Sequence, residues 1–409
     1  MNKPNINSAF LRRHPFLILS VPFITFILMT QLKFNPFGDE YIGHIQTIRD
    51  FAASFPFLSL KDYLASSGPI SFILWTVFGK IVGFEIWKLR FLTALFSYFG
   101  SLIFFSICRD QKTPYPFLKT FCLIFFPYIF LHSFTLYTIN LTLFWELLSL
   151  RSFLRYKESQ SNSDLACGSL SSLALVFSRQ IDVALPAGVF CFFLAEKRLR
   201  KLSGLLGSMI PIIGLFLLFL YWGRITPYKG HQELFSPSFK LTQLTLLFTV
   251  LGFYFQPVGI YEGMRLGRRA GFILLMVPFL LVFAVPYPKE GLGIVYYGID
   301  LVGKTLHHNS SLVLSLYLGL MGSLVLYGIS KGIYQSGRPS LPVYVLLSYV
   351  LLNCLNPVVY ERYYYFAWPL ILLLWPRNVS KNRLLFILVL AIHMGVSIFY
   401  VKLSLVFPK

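Results

Sequence analysis

The chain has 409 residues, of which 56% are hydrophobic, 18% aromatic and only 13% charged. This composition excludes an ordinary soluble globular protein and is typical of a chain whose main solvent is the lipid bilayer. The formal net charge of +20 does not indicate nucleic-acid binding, because the basic residues lie between apolar runs and form no patch with interleaved aromatics.

Apolar runs recur along almost the whole chain, beginning at Phe16 and ending at Val401. A helix needs roughly 20 apolar residues to cross the hydrocarbon core, and the alternating pattern of a membrane β-barrel is absent. We therefore predict an all-α polytopic membrane protein. In chain order the runs lie near residues 16–32, 69–87, 89–108, 117–133, 141–150, 165–178, 183–195, 204–222, 241–260, 270–286, 311–330, 340–355, 364–376 and 384–401.

One of these runs does not fit as a crossing helix. If every run crosses, the basic segments after Leu150 and Ala195 fall on the opposite side from the basic N-terminal residues 12–13, although Lys and Arg tend to remain cytoplasmic. The run 69–87 contains two charged residues and is interrupted by glycines, as an interfacial helix would be. Treating it as interfacial returns the basic segments to the cytoplasmic side.

The resulting topology has about 13 transmembrane helices, a cytoplasmic N-terminus and an external C-terminus. Its largest non-spanning part is a long first extracytoplasmic loop, residues 33–88, which contains the interfacial helix. No soluble domain, fixed-period repeat or low-complexity tract is found. We expect residues 1–409 to form a single transmembrane domain, with 33–88 as its catalytic loop.

The segment NPFGDEYIGHIQTIRDF places four chemically useful side chains directly outside the first helix. Asp39 and Glu40 offer a base, His44 a proton shuttle and Arg49 a guanidinium for an anion. A solvated external loop without chemistry explains the same residues. The later polar segments favour the functional interpretation, because they fall on the same side in the predicted topology.

The first of these segments is FSRQIDVAL, residues 177–185, between two apolar runs. Its side chains Arg179, Gln180 and Asp182 fit a simple polar turn as well as they fit contacts to a phosphate or a sugar. Both interpretations stay open at this point.

The second segment is NPVVYERYYYFAW, residues 356–368. Glu361 and Arg362 could form a structural ion pair. A guanidinium beside Tyr363 and its neighbouring tyrosines also suits a lipid phosphate headgroup at the membrane interface.

Three isolated polar residues complete the candidates. Asn140 begins an N-L-T sequon at the start of an apolar run and fits a helix cap or a ligand hydrogen bond better than a glycan site. His231 lies in a polar stretch before a helix. Glu146, the one acid at membrane depth, is expected to pair with Arg151 or to snorkel toward the membrane surface. The five cysteines lie singly, so neither disulfides nor a metal site is predicted.

These segments, with the GPISF start of the interfacial run, resemble the GT-C superfamily of polyprenyl-phosphate-sugar-dependent membrane glycosyltransferases. Within it they are most similar to the dolichyl-phosphate-glucose α-1,2-glucosyltransferase family. The likeness is confined to short motifs. Many superfamily members carry a second acid in the next external turn, where this chain has Asn140.

The resemblance implies a GT-C-like hexosyltransferase that moves a glucose- or mannose-type sugar from a polyprenyl-phosphate-linked donor to a lipid-linked or other extracytoplasmic glycan acceptor. Transfer would invert the anomeric carbon without a metal ion or another cofactor, and the partners would be these substrates and membrane lipids, not nucleic acid. No nucleotide-binding glycine-rich motif is present, so a nucleotide sugar is not the expected donor. The catalytic base would be Asp39 or else Glu40, and substrates would be bound by His44, Arg49, Asn140, Arg179, Gln180, Asp182, His231, Glu361, Arg362 and Tyr363.

A transporter or flippase of lipid-linked saccharides is the alternative function. Such a protein would favour charged or broken helices near the membrane midplane and paired half-repeats, and neither is found in the sequence. The expected location is the bacterial cytoplasmic membrane with the site facing outside. The endoplasmic reticulum membrane is the alternative.

Overall fold

The computed structural model describes residues 14–57, 60–196, 201–228, 239–266, 293–306, 308–335, 339–356, 358–375 and 382–406. All regular elements of this part of the chain are helices, which confirms the predicted all-α class. The predicted run 270–286 and His231 lie outside the described residues.

The helices are numbered here in chain order among the described residues. They are α1 (Pro15–Thr30), α2 (Ile45–Ser54), α3 (Ile70–Val82), α4 (Ile86–Asp110), α5 (Pro116–Ile124), α6 (Pro127–His132), α7 (Ile139–Ser159), α8 (Asn162–Ser178), α9 (Ala184–Ala195), α10 (Lys201–Trp222), α11 (Thr242–Tyr254), α12 (Gln256–Met264), α13 (Ile294–Thr305), α14 (His308–Gln335), α15 (Leu341–Asn353), α16 (Ala367–Leu373) and α17 (Arg383–Val406). A π-helical turn, Glu40–His44, precedes α2, and 3₁₀ helices occupy Gln180–Val183 and Glu361–Tyr365.

The chain is an integral membrane protein. Four described helices, α4, α10, α14 and α17, are long and apolar enough to cross a bilayer, and a fifth span is possible if α11 and α12 are counted as one helix bent by 88°. Several other apolar helices, such as the 16-residue α1 and the 13-residue α15, are shorter. The total of about 13 crossing helices stays a prediction.

Prolines divide two of the predicted apolar runs. Run 117–133 forms α5 and α6, which meet at Phe126, and Pro127 occupies the first turn of α6. Run 241–260 forms α11 and α12, which meet at Phe255 just before Pro257. Proline lacks an N–H and clashes with the preceding turn, so each apolar run becomes two helices with a change of direction.

The predicted interfacial run forms α3, whose 13 residues span about 20 Å, less than the hydrocarbon core. The helix ends at Gly83, where φ is +103°, and α4 begins three residues later. Trp75 of α3 is buried and donates a hydrogen bond to Thr93 of α4 at 3.1 Å. The first loop is thus packed against the bundle through α3, and its predicted interfacial orientation stays a prediction.

Helix packing in the second half depends on small residues. A Cβ atom on Gly252 of α11 would lie 1.8 Å from the carbonyl oxygen of Leu318, and one on Gly322 of α14 would lie 1.9 Å from that of Phe248. The two backbones therefore approach as closely as small-residue membrane interfaces allow.

Outward faces of several helices are apolar, as expected where lipid is the solvent. Helix α10 buries Leu215, Leu218 and Trp222, while Leu206, Ile210, Ile213, Phe216, Leu217 and Leu220 are exposed.

The two ends of α4 carry different kinds of polar contact. At its C-terminal end, Asp110 lies 3.8 Å from Arg151 of α7, and Gln111 donates to Glu158 at 3.3 Å. At its N-terminal end, Arg90 contacts the first loop. Because α4 is about 37 Å long, the basic segment that begins at Arg151 and the first loop lie at opposite ends of this helix. Which end faces the cytoplasm stays a prediction.

Candidate functional site

The position of Asp39 depends on a glycine and a tyrosine. Gly38 has φ +53°, and a Cβ atom there would lie 2.3 Å from the hydroxyl oxygen of Tyr137. Only glycine allows the backbone this close in this conformation. The Asp39 N–H then donates to the Tyr137 hydroxyl at 2.9 Å, so the segment before α7 fixes the start of the first loop.

The Asp39 carboxylate forms an ion pair with Arg362, with 2.8 Å between Oδ2 and Nη2. This contact joins the first loop to the second 3₁₀ helix, as the shared sidedness of the two motifs predicts. The Arg362 guanidinium also lies over the ring of Tyr360, 4.5 Å from its centroid, and over that of Tyr137, at 5.6 Å. The Asp39 side chain is 47% exposed and that of Arg362 20%, so the pair is accessible to a ligand.

Local charge keeps Asp39 ionised. Burial raises the pKa of the carboxyl, but the guanidinium of Arg362 and the nearby His44 outweigh that effect, and the net pKa lies below the usual value. Asp39 is therefore a carboxylate at neutral pH.

A cavity of about 470 Å³ opens beside this ion pair. Asp39 and Arg362 both line it, together with parts of α13 and α17. Most of the remaining wall is aromatic, and flat aromatic faces with hydroxyl edges suit stacking on sugar rings as well as hydrogen bonding to them. The aromatic residues are Phe37, Tyr128, Tyr137, Tyr296, Tyr297, Tyr360, Phe399 and Tyr400.

His132 at the end of α6 also lines this cavity. Its Nδ1 is 3.2 Å from the Thr135 hydroxyl and its ring stacks on Tyr137, with centroids 4.1 Å apart. Its Nε2 is buried and has no hydrogen-bond partner among the described residues. A buried polar atom without a partner is costly unless a ligand or water satisfies it, so His132 is a candidate substrate contact.

Glu40 points away from the cavity into the protein. Its carboxylate is fully buried and receives two hydrogen bonds from Arg90, from Nε at 2.9 Å and from Nη2 at 2.8 Å. The Leu136 N–H donates a third, at 2.9 Å. All of these bonds hold the first loop on α4 and on the segment before α7, so Glu40 fits a structural role.

His44 holds the same segment from the π-helical turn. It is buried, and its Nδ1 donates to the Leu136 carbonyl oxygen at 2.7 Å. Burial is the largest influence on its pKa and lowers it, in spite of the nearby Asp39 carboxylate. The neutral imidazole therefore holds Leu136 in place and with it Tyr137, the residue that follows Leu136 in the chain.

Arg49 is exposed on α2 and lines neither of the two cavities described here.

A second cavity, of about 250 Å³, lies beside the first 3₁₀ helix. It is lined by Arg179, Gln180 and Tyr363 and is otherwise largely apolar. Arg179 lies over the Tyr363 ring, 4.8 Å from its centroid, and Arg362 lies 5.7 Å from the same centroid. Both guanidinium groups therefore contact the same tyrosine ring.

The first loop also contributes to the second cavity. Gln180 donates to the Ser66 carbonyl oxygen at 3.2 Å, and the Gly68 N–H donates to the carbonyl oxygen of Ser178 at 3.0 Å. A Cβ atom on Gly68 would lie 2.1 Å from the Phe177 carbonyl oxygen, so glycine permits this approach.

Asp182 and Asn140 are buried in the interior. Asp182 accepts a hydrogen bond from the Tyr365 hydroxyl at 2.5 Å, and burial raises the pKa of this carboxyl to about 6. Asn140 donates to the carbonyl oxygen of Ile129 at 2.9 Å and to the Ser133 hydroxyl at 3.2 Å. Neither residue lines either cavity.

Glu361 fastens one wall of the larger cavity. Its buried carboxylate accepts hydrogen bonds from the Tyr128 hydroxyl at 3.0 Å and from the Tyr296 N–H, in the first turn of α13, at 2.7 Å. Burial nevertheless raises its pKa to about 7. A Cβ atom on Gly293 would lie 2.2 Å from this carboxyl group. Glu361 therefore holds α13, whose N-terminus favours an acid, against α6.

The expected pair of Glu146 and Arg151 is not formed. Glu146 is fully buried with neither carboxyl oxygen hydrogen-bonded within the described residues, while Arg151 contacts Asp110. Glu146 lies two turns inside α7 from the end that carries the first loop, because α7 begins at Ile139.

The structure thus divides the predicted residues. Asp39 and Arg362 meet in one cavity, Arg179, Gln180 and Tyr363 meet in the other, and the other described candidates lie in the interior or on the surface. Sequence reasoning named Tyr360 beside Arg362 but did not find His132 or the other tyrosines of the cavity, because those lie within or beside apolar runs. In the described part of the chain no three His, Cys, Asp or Glu side chains converge as metal ligands, and metal-independent transfer stays a prediction.

No family model and no curated protein matches this chain. It is similar to the crystal structure of ArnT from Cupriavidus metallidurans bound to undecaprenyl phosphate, with 11% sequence identity and a TM-score of 0.47 over 95% of this chain and 77% of that one. It is also similar to ArnT from the same organism in the apo state, with 12% identity and a TM-score of 0.43 over 89% of this chain and 77% of that one.

Proposed function

We propose that this chain is a membrane glycosyltransferase of the GT-C type, which moves a hexose from a polyprenyl-phosphate carrier to a lipid-linked or other extracytoplasmic glycan acceptor. One observation carries the proposal. A carboxylate and a guanidinium, Asp39 and Arg362, lie 2.8 Å apart in the wall of an aromatic cavity of about 470 Å³. They are the two groups that transfer from a sugar phosphate requires, a base and a cation for the leaving phosphate.

In the proposed reaction, the acceptor hydroxyl oxygen attacks the anomeric carbon of the donor sugar and a new C–O bond forms. The Asp39 carboxylate accepts the hydroxyl proton. The bond from the anomeric carbon to the phosphate oxygen breaks, and its electron pair leaves with the polyprenyl phosphate. Arg362 stabilises this phosphate with charge-assisted hydrogen bonds. A single displacement of this kind inverts the anomeric carbon.

An uncharged hexose fits the charge of the cavity. Among the described residues that line it, Asp39 and Arg362 carry the only formal charges at neutral pH, and they compensate each other. A charged sugar would find no further residue of opposite charge in the described wall of this cavity, because Arg362 is assigned to the donor phosphate and Asp39 to the acceptor proton. Tyrosine faces and hydroxyls supply contacts that a neutral sugar can use.

The second cavity suits the lipid portion of a substrate. Leu215 and Phe219 of α10 line it, beside the exposed apolar face of that helix, and Arg179 provides a cation at its polar end. The Tyr363 ring contacts both this guanidinium and that of Arg362. We assign the second cavity to isoprene units that enter from the bilayer.

The test is transfer by the purified full chain in nanodiscs. Candidate polyprenyl-phosphate hexoses and a lipid-linked acceptor are supplied, and acceptor mass is measured. We expect Asp39→Asn to lower the rate by about two to four orders of magnitude, because general-base catalysis contributes that much. Folding should be retained, because Asp39 is half-exposed.

Asp164→Asn is the matched control, because Asp164 also pairs with an arginine, Arg155, and lies at the N-terminal end of α8, the opposite end from Arg179 and the second cavity. It should keep the wild-type rate. Unchanged transfer by Asp39→Asn would remove Asp39 as the base. The same protein in proteoliposomes tests the alternative function. Movement of the saccharide across the proteoliposome membrane, without a new glycosidic bond, would indicate a transporter.

A further inference from the structure

The Asp39–Arg362 ion pair occupies both groups that the proposed reaction needs. While the guanidinium is bound to Asp39, the carboxylate is a weak base, since an adjacent cation favours its ionised form. The same guanidinium is the cation nearest the proposed base, where the leaving phosphate must lie. The pair must therefore open before transfer.

We propose that the donor phosphate opens it by exchange. The Arg362 guanidinium leaves Asp39 for the phosphate of the incoming lipid, and the released carboxylate binds the acceptor hydroxyl. This inference rests on the proposed function and adds an order of events to it. Asp39 becomes active as a base only after the donor has bound, so in the resting cavity its carboxylate is held by Arg362 and cannot accept the acceptor proton.

The surroundings of Arg362 permit such a movement. Asp39 is its only ion-pair partner within the described residues, and its other close neighbours are tyrosine rings. An aromatic face attracts a guanidinium without using its N–H groups, which stay free for a phosphate. Arg362 can therefore change its anion while keeping its cation–π contacts.

The neighbouring buried pair shows the opposite arrangement. Arg90 is 1% exposed and donates to two backbone carbonyl oxygens, of Leu32 and Phe34, in addition to both oxygens of Glu40. Every bond of that guanidinium is made inside the protein. The Asp39–Arg362 pair makes a single ionic contact at the cavity surface and is much more easily exchanged.

The experiment measures binding of undecaprenyl monophosphate, without a sugar, to the full chain in phosphatidylcholine nanodiscs. If Asp39 competes with the phosphate for Arg362, Asp39→Asn should bind the lipid about three- to fivefold more tightly, which corresponds to a partly exposed ion pair. Arg362→Gln should bind it more weakly. The double variant should bind like Arg362→Gln alone, because there is no longer a guanidinium for which to compete.

Each outcome distinguishes this inference from simpler explanations. Tighter binding that persists in the double variant would show general repulsion by Asp39 and overturn the exchange, as would unchanged or weaker binding by Asp39→Asn. Asp164→Asn carries the same charge change away from the cavities and should leave affinity unchanged. If Arg362→Gln does not fold, Arg362→Lys replaces it and should lose part of the bidentate affinity. Failure of wild-type transfer, with these binding results intact, would overturn the proposed function instead.

Discussion

Glu40 and Arg90 form a bidentate ion pair that is closed to solvent, with side chains 0% and 1% exposed. Adjacent to it in the chain, Asp39 forms an ion pair that is open to a cavity. Two neighbouring acids thus have different surroundings, because one is held by a cation in the protein interior and the other by a cation at the cavity surface.

Removing Arg90 should destabilise the protein. Arg90→Met leaves the Glu40 carboxylate buried without its cation, and breaking such a pair typically costs about 3–5 kcal/mol. Thermal unfolding of the purified protein in detergent should show a clearly lower Tm. Arg49→Met, at an exposed arginine of α2, is the control and should unfold like the wild type. Equal Tm values for the two variants would contradict a structural role for the Glu40–Arg90 pair.

Gly38→Ala should damage activity more than stability. The added Cβ would lie 2.3 Å from the Tyr137 hydroxyl in a backbone conformation that disfavours alanine, so the ring must move and the hydrogen bond to the Asp39 N–H is lost. We expect transfer to fall by about tenfold or more, since misplaced catalytic groups are costly. Gly43→Ala is the comparison, because its Cβ would make only an ordinary 3.8 Å contact with Leu64. Similar rates for both variants would argue against this positioning.

Protonation of Glu361 and Asp182 should contribute stability that is lost as the pH rises from about 4 to about 7. Burial raises the pKa of Glu361 to about 7 and that of Asp182 to about 6, while unfolded-chain carboxyls have values near 4. The folded state therefore binds more protons between about pH 4 and 7, and the stability gained at the acidic end is lost as pH rises through the folded pKa values. This contribution is measured as the part of the pH dependence of Tm that these two acids cause.

The matched variant for this pH effect is the double substitution Glu361→Gln with Asp182→Asn. Both replacements keep the shape of the protonated acid, so the Tm of the double variant should exceed that of the wild type by more at pH 7 than at pH 5. Comparing the two proteins removes the opposite pH dependence of the buried His44, whose pKa is lowered and which both of them keep. A wild-type slope in the double variant would place the titrating groups elsewhere.

Cysteine labelling can determine which end of the bundle is cytoplasmic. The exposed Cys167 and Cys191 are first replaced by serine, and single cysteines are introduced at Arg49 and Arg155. The positive-inside tendency predicts that an impermeant reagent added outside labels position 49 and that position 155 is labelled only after the membrane is opened. The reverse pattern would invert the topology and place the cavities on the cytoplasmic side.

Several properties followed from the sequence alone, because each depends on local composition. An apolar fraction of 56% in long runs determines a helical membrane protein, since helices satisfy their own backbone in lipid. The apolar residues of run 69–87 predicted a helix, and α3 occupies 13 of them, while its interfacial orientation stays a prediction. The common sidedness of the motifs correctly grouped Asp39 with Arg362.

Tertiary structure alone decided which of the candidate residues line a cavity and which are held in the protein interior. Adjacent acids look equivalent in the sequence, but Glu40 meets Arg90, 50 residues away, and the Asp39 backbone meets Tyr137, 98 residues away. Glu361 appeared to be a partner for Arg362, yet it binds α13 and Tyr128. Such contacts depend on how helices pack across the whole chain, and a tyrosine within an apolar run carries no local signal that distinguishes a lipid-facing position from a cavity wall. Long-range packing therefore selected Asp39 and Arg362 from a larger set of polar residues that local patterns made equally plausible.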